Sequence, residues 1–158
     1  ENLKLIGERI EQIQDFLQRE LIIENLSMYL KYKQSTLDEY EFMGELHKRF
    51  GIKFLLDLNN IIVNKINFNI DPKNYLDSLP TTAVAELHLA GHSRLDHYAF
   101  DTHSENISNE TLELFGDAIK KFPNALIILE RDDNIPPLSE LLLEINTLKE
   151  IRENHDKK

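Results

Sequence analysis

Four short apolar runs in this chain each close on a side chain able to bind a metal ion: Leu21-Ile22-Ile23-Glu24, Phe54-Leu55-Leu56-Asp57, Ala85-Glu86-Leu87-His88 and Ile127-Ile128-Leu129-Glu130. Carboxylate and imidazole together suit iron, zinc or manganese. One acid in such a place is explained equally well as a helix cap or loop residue. Four in step, at the carboxyl ends of parallel strands, would point into one pocket, where α/β folds gather functional groups. Three carboxylates sharing that pocket repel one another unless a cation joins them or some are protonated.

The stretch after the third run is the richest in such groups. It reads His88-Leu89-Ala90-Gly91-His92-Ser93, then Asp96-His97, then Asp101-Thr102-His103, and holds four of the six histidines. In an extended segment, side chains alternate with period two. Asp101 and His103 would then lie on one side and chelate one ion. His97 reads as a surface residue, as do His47 on a helix and His155 in the tail. Asn25 and Asn60, just past their strand ends, are either neighbours of the ligands or turn formers.

The elements that must position these residues follow from periodicity. Leu3, Ile6, Ile10, Ile13 and Leu17 mark one face of a first helix. Residues 36–50 read as a second, with Thr36 and Glu39 as a capping box and Gly51 as its stop. Asp71-Pro72 starts a short helix ending near Pro80, and Ser108 caps one with Leu112, Phe115, Ile119 and Phe122 on its face. Residues 84–89 and 125–129 are the third and fourth strands. A last helix begins near Pro137, and the charged tail 152–158 is expected to fray. Apolar strands alternating with amphipathic helices predict a parallel sheet buried on both faces, within a single α/β domain over residues 1–158.

Composition narrows the chemistry. The 158 residues carry a net charge of -10, which argues against nucleic acid or an anionic membrane as the main partner and fits a cytoplasmic enzyme. With no cysteine, disulfides, thiolate metal sites, iron–sulfur clusters and a cysteine nucleophile are excluded. No apolar run approaches the ~20 residues of a membrane span. Phosphate loops, HExxH and nucleophile elbows are absent.

At these residues the sequence resembles the multinuclear non-heme iron-dependent oxidative enzymes, whose members modify precursor peptides, as in methanobactin biosynthesis. The matching stretches are IIENLSMYL, FMGELHKRFGIKFLLDLNNI, DPKNYLDSLP, VAELHLAGH, FDTH and LERDDNIPPLSELLLEI, which cover nearly the whole chain in the family's order. HLAGH, then DTH, then ERDDNIPP is a specific combination. The resemblance implies a (β/α)8 TIM barrel of the xylose-isomerase-like type, with two or three iron ions in its mouth. It implies metal-ligand roles for Glu24, Asp57, His88, Asp101, His103 and Glu130, with Glu24 as the bridging carboxylate. His92 and Asn60 are then neighbours of the ligands.

Two departures accompany that resemblance. A complete barrel needs about 250 residues, so this chain would hold the last four βα units and the helix before them. The N-terminal half, with further histidine ligands, would come from elsewhere or be replaced by self-association. Where members show Asn-His-Gly, this chain has Asn67-Phe68-Asn69. The leading expectation is an iron-dependent oxidase acting on a peptide, with a partner protein that presents it. The alternatives are a zinc- or manganese-dependent isomerase or hydrolase on a similar barrel, and an inactive half barrel that serves as a scaffold or binding module.

Overall fold

The computed structural model describes residues 1–156, with side chains through residue 154. Its centre is a parallel four-stranded sheet in the order β1 (Ile22–Glu24), β2 (Lys53–Asp57), β3 (Val84–Leu89) and β6 (Leu126–Leu129). The helices are α1 (Asn2–Leu17), α2 (Glu39–Phe50), α3 (Leu58–Phe68), α4 (Pro72–Ser78), α5 (Asn109–Lys121) and α6 (Leu138–Asp156). A hairpin of β4 (Ser93–Leu95) and β5 (Tyr98–Phe100) interrupts the crossover from β3 to β6.

Each strand adds beside the last, always in the same direction. Crossovers of one hand stepping one way deliver their helices to one side of a sheet. Ile23, Phe54, Leu56, Leu87 and Leu89 therefore pack into the core with Leu46, Leu58, Ile62 and Phe115. The opposite face is less covered, with Ile22 37% and Leu126 58% exposed. This corrects the expectation of a sheet buried on both faces. Beside β1 and its following loop opens a mainly apolar cavity of about 600 Å³, with Glu24 among its lining residues.

Several local signals act as expected. Gly51 ends α2 at φ 67°, Asp71 caps α4 ahead of Pro72, and Ser108 caps α5. The start of α2 differs: Asp38 is the N-cap, and Glu41 returns a bond to its backbone N–H at 2.8 Å. Thr36 and Glu39 do not form the box, because Glu39 turns inward instead. It accepts from the Leu26 N–H at 2.7 Å and the Tyr75 hydroxyl at 2.8 Å. The residues expected to fray from Arg152 continue α6 as far as Asp156, and residues 157–158 lie outside the described residues. Among the described residues, no helix is long and apolar enough to cross a membrane.

Helix α3 and the hairpin were not expected. The run Asn59, Asn60, Asn64 and Asn67 has the composition of turns and poor helix propensity. Asn60, Asn64 and Asn67 nevertheless share one helix face, and each binds backbone of another segment. Asn60 donates to the Asn25 carbonyl at 2.9 Å. Asn64 donates to the Leu26 carbonyl at 2.8 Å and accepts from the Met28 N–H at 2.6 Å. Asn67 brackets Ala99, accepting from its N–H at 2.9 Å and donating to its carbonyl at 3.0 Å. The asparagines thus satisfy the polar backbone of the 25–28 segment and of β5, and tertiary hydrogen bonding overrides local propensity.

Candidate metal centre

Strand alternation puts Glu24, Asp57, His88 and Glu130 on the less covered face of the sheet. Asp57 pairs with His88 directly across β2 and β3. The four are not in equivalent registers, as the sequence suggested. Glu24 pairs with Leu55, and His88 pairs with Ile128, two residues before Glu130. Shifts of two residues preserve the face, so the convergence survives the stagger.

Two sets of ligand atoms lie within 4.8 Å of one another: Glu24, Asp57 and His88 in one, and Asp57, His103 and Glu130 in the other. Asp101 joins through His103, whose Nε2 approaches its Oδ1 at 2.6 Å. The structure thus brings together all six residues. Asp57 is common to both sets, whereas the resemblance implies Glu24 as the bridge.

Asp101 and His103 do not meet by strand alternation. The Thr102 N–H donates to the Phe100 carbonyl at 2.9 Å, and His103 adopts φ 47°. A left-handed residue in a tight turn, rather than an extended segment, aims the imidazole at the pocket.

The surrounding polar groups hold backbone and carboxylates in place. Asn25 binds both backbone groups of Asp57, donating to its carbonyl at 3.0 Å and accepting its N–H at 2.7 Å. Asp57 caps α3 by accepting from the Asn60 N–H at 2.7 Å, and the Asn60 side chain reaches Glu24 at 3.4 Å. Asp101 accepts from Asn59 at 2.7 Å and Ser27 at 3.3 Å, and its N–H donates to the Tyr29 hydroxyl at 2.9 Å. Glu130 meets His88 Nδ1 at 2.9 Å. His92 bonds to Asn59, His97 is exposed, and His47 donates from Nδ1 to the Ile52 carbonyl at 2.9 Å. The side chain of His155 lies outside the described residues. Phe68 packs against the core.

Ser27, Tyr29, Asn59 and Glu86 escaped sequence reasoning. Glu86 was findable, since it shares the His88 side of β3 by alternation and comes within 3.8 Å of its Nε2. Ser27, Tyr29 and Asn59 act through long-range contacts that leave no local pattern.

Electrostatics mark the pocket as strained for anions. Burial, then Asp101 and Glu24, raises the Asp57 carboxyl to about 7, although the Asn60 N–H and His103 oppose the rise. Partial desolvation of its carboxyl at the pocket, then Glu130, raises Glu24, although the residue as a whole is exposed. His103 rises to about 9, chiefly through its pairing with Asp101. Burial would raise Asp101 too, but the close approach of the His103 imidazole and the hydrogen bonds from Asn59 and Ser27 outweigh that and lower it.

The donor set fits a divalent cation. Asp57 Oδ2, His88 Nε2 and both ring nitrogens of His103 are buried without an aligned hydrogen-bond partner. Such groups are costly unless something else satisfies them. His103 Nε2 and Asp101 Oδ1 are close, yet not aligned as donor and acceptor. The arrangement is the one expected of two groups directed at a third partner.

A family model described as the RiPP precursor modification enzyme MbnB/TglH/ChrH matches residues 1–153. The chain belongs to this family. Its resemblance to the multinuclear iron-dependent enzymes is thereby borne out at the level of family. A UPF0276 protein of Anaeromyxobacter sp. (strain Fw109-5) is 36% identical over 151 residues, covering 96% of this chain and 53% of that protein. A UPF0276 protein of Acaryochloris marina is 38% identical over 142 residues, or 90% of this chain and 51% of its own length. One of Vibrio parahaemolyticus is 38% identical over 148 residues, or 91% and 51%. The chain spans about half the length of these curated relatives.

Proposed function

We propose that this chain contributes the carboxylate–histidine part of a multinuclear iron centre that oxidises a precursor peptide. The observation that carries the reading is the pair of ligand sets joined at Asp57, with buried nitrogens and an oxygen left unpartnered within them. Glu24, Asp57, His88, Asp101, His103 and Glu130 would hold the metal. Iron bound there would supply the redox chemistry that links the peptide to dioxygen.

The chain's own residues prepare that chemistry. Asp57 and Glu24 give up their protons more readily once a cation offsets their mutual repulsion. Asn25 fixes the Asp57 backbone, and Ser27 and Asn59 orient Asp101. His88 is held against Glu130, which sets its ring orientation.

The sheet is read as one half of a (β/α)8 barrel. Its outer strands, β1 and β6, have no further strand partner among the described residues. Unpaired edges and a half-covered inner face favour association. Further βα units, whether in a longer chain, a separate chain or a second copy, would complete the barrel and the ligand set. Light scattering at dilute concentration tests this, and a stable monomer would count against an open half barrel.

Elemental analysis of protein purified without oxygen, with oxygen uptake on adding precursor peptide, tests the oxidative reading. Iron with peptide-dependent uptake is expected. Zinc or manganese without oxygen dependence would replace that reading with an isomerase or hydrolase. Absence of any metal would leave a binding module.

A further inference from the structure

We infer that His92 and Asn59 form a two-step positioning relay that fixes the Asp101 carboxylate, with His92 held as the tautomer bearing hydrogen on Nδ1. As a statement about metal binding the inference rests on the iron-centre reading. As a statement about hydrogen bonds it stands alone.

Asn59 is fully buried, at 0% exposure, in the first turn of α3. Its amide has two different ends, and its neighbours decide which way round it sits. Asp101 Oδ1 lies 2.7 Å from the amide nitrogen. An ionised carboxylate only accepts, so the NH2 must face it. The reversed amide would set two oxygens against each other. The carbonyl oxygen is thereby turned towards His92 Nδ1, at 2.8 Å. That oxygen also only accepts, so Nδ1 must carry the hydrogen. The order is imidazole N–H to amide oxygen, then amide N–H to carboxylate.

The ends of the relay are anchored independently. His92 follows Gly91, where an added Cβ would collide with the backbone carbonyls of Glu105 and Asn106, so this backbone is closely packed. Asp101 is held from its other side by Ser27 at 3.3 Å. Asn59 spans the space between the loop after β3 and the segment carrying Asp101 and His103. Neither Asn59 nor His92 belongs to the two ligand sets. Both act through Asp101, in the manner of outer partners whose loss weakens metal binding about 10- to 100-fold.

The test uses the full chain, with and without cobalt(II), whose visible absorption reports coordination geometry. Long-range nitrogen–proton NMR of the metal-free protein should show His92 with hydrogen on Nδ1, and the Asn59 NH2 protons protected from exchange. His92→Leu should remove that protection, weaken cobalt binding about tenfold and change the absorption spectrum. His92→Asn, whose amide nitrogen can take the place of Nδ1, should restore all three. A thermal melt separates misfolding from this effect, because a purely structural role would not give selective rescue of the spectrum by Asn. Hydrogen on Nε2, unchanged protection in His92→Leu, or equal failure of the Asn and Leu variants would overturn the relay. If the wild-type chain takes up no cobalt while the NMR signatures appear as expected, the relay stands and the metal reading fails.

Discussion

Asp57 and His88 are register partners on neighbouring parallel strands, and Asp57, at 0% exposure, belongs to both sets of potential ligands. A fully buried carboxylate at such a junction is costly without a positive partner. Its position therefore links stability, pH and metal uptake.

Replacing Asp57 with Asn removes the charge but keeps an N-cap for α3, since Asn caps as well as Asp. At pH 8, above the raised pKa of about 7, metal-free Asp57→Asn should be more stable than wild type by about 1–2 kcal/mol. The difference should shrink as pH falls and vanish at about pH 3, below the unfolded value of 3.8, because the carboxyl is then neutral in the folded and unfolded chains alike. The same variant should lose metal binding. Denaturant unfolding at both pH values and a metal titration check this, and a loss of stability at pH 8 would contradict it.

The metal-free chain should lose stability as pH rises from about 4 to 9. Asp57 has its folded pKa raised from 3.8 to about 7, so over that window the folded chain holds a proton the unfolded chain has released. His103 is raised from 6.5 to about 9, so its contribution is complete below 6.5 and is lost as pH rises through 9. Each group contributes a slope of up to about 1.4 kcal/mol per pH unit within its window. Metal ligation requires the opposite protonation states, so added metal should stabilise more strongly at high pH. Melting curves across that range, with and without iron(II) under nitrogen, measure both trends.

Glu24 is exposed, so Glu24→Gln should change folding stability by no more than about 0.5 kcal/mol. If Glu24 is a ligand, metal per chain should fall. Unchanged metal content would remove it from the centre.

Asn64 bonds the Leu26 carbonyl, the Met28 N–H and the Tyr75 hydroxyl, the last at 2.9 Å. Asn64→Leu leaves the part-buried Leu26 carbonyl and Met28 N–H without this partner, while the Tyr75 hydroxyl keeps its bond to Glu39, and should cost about 1–3 kcal/mol in urea unfolding. It should also loosen the loop carrying Ser27 and Tyr29, visible as faster amide exchange at Met28.

Much of the framework was legible because local chemistry dictates it. Strand ends at Glu24 and Asp57, the stop at Gly51 and the caps at Asp71 and Ser108 follow from apolar runs and turn residues. Helix α3 was not legible, because asparagines read as turn formers until the backbone groups they bind are known. The hairpin β4–β5 was missed because each strand is three residues long, too short for alternation to register.

The sequence by itself determined which side chains could hold a metal and that four of them close apolar strands, since residue type and position in a run are local properties. Tertiary structure decided the rest. It staggered the strands, turned His103 inward through a left-handed backbone, made Asp57 common to both ligand sets, and placed Asn59 between His92 and Asp101. Those relationships join residues up to tens of positions apart, and their energies come from burial and hydrogen bonds that exist only once the chain has closed on itself.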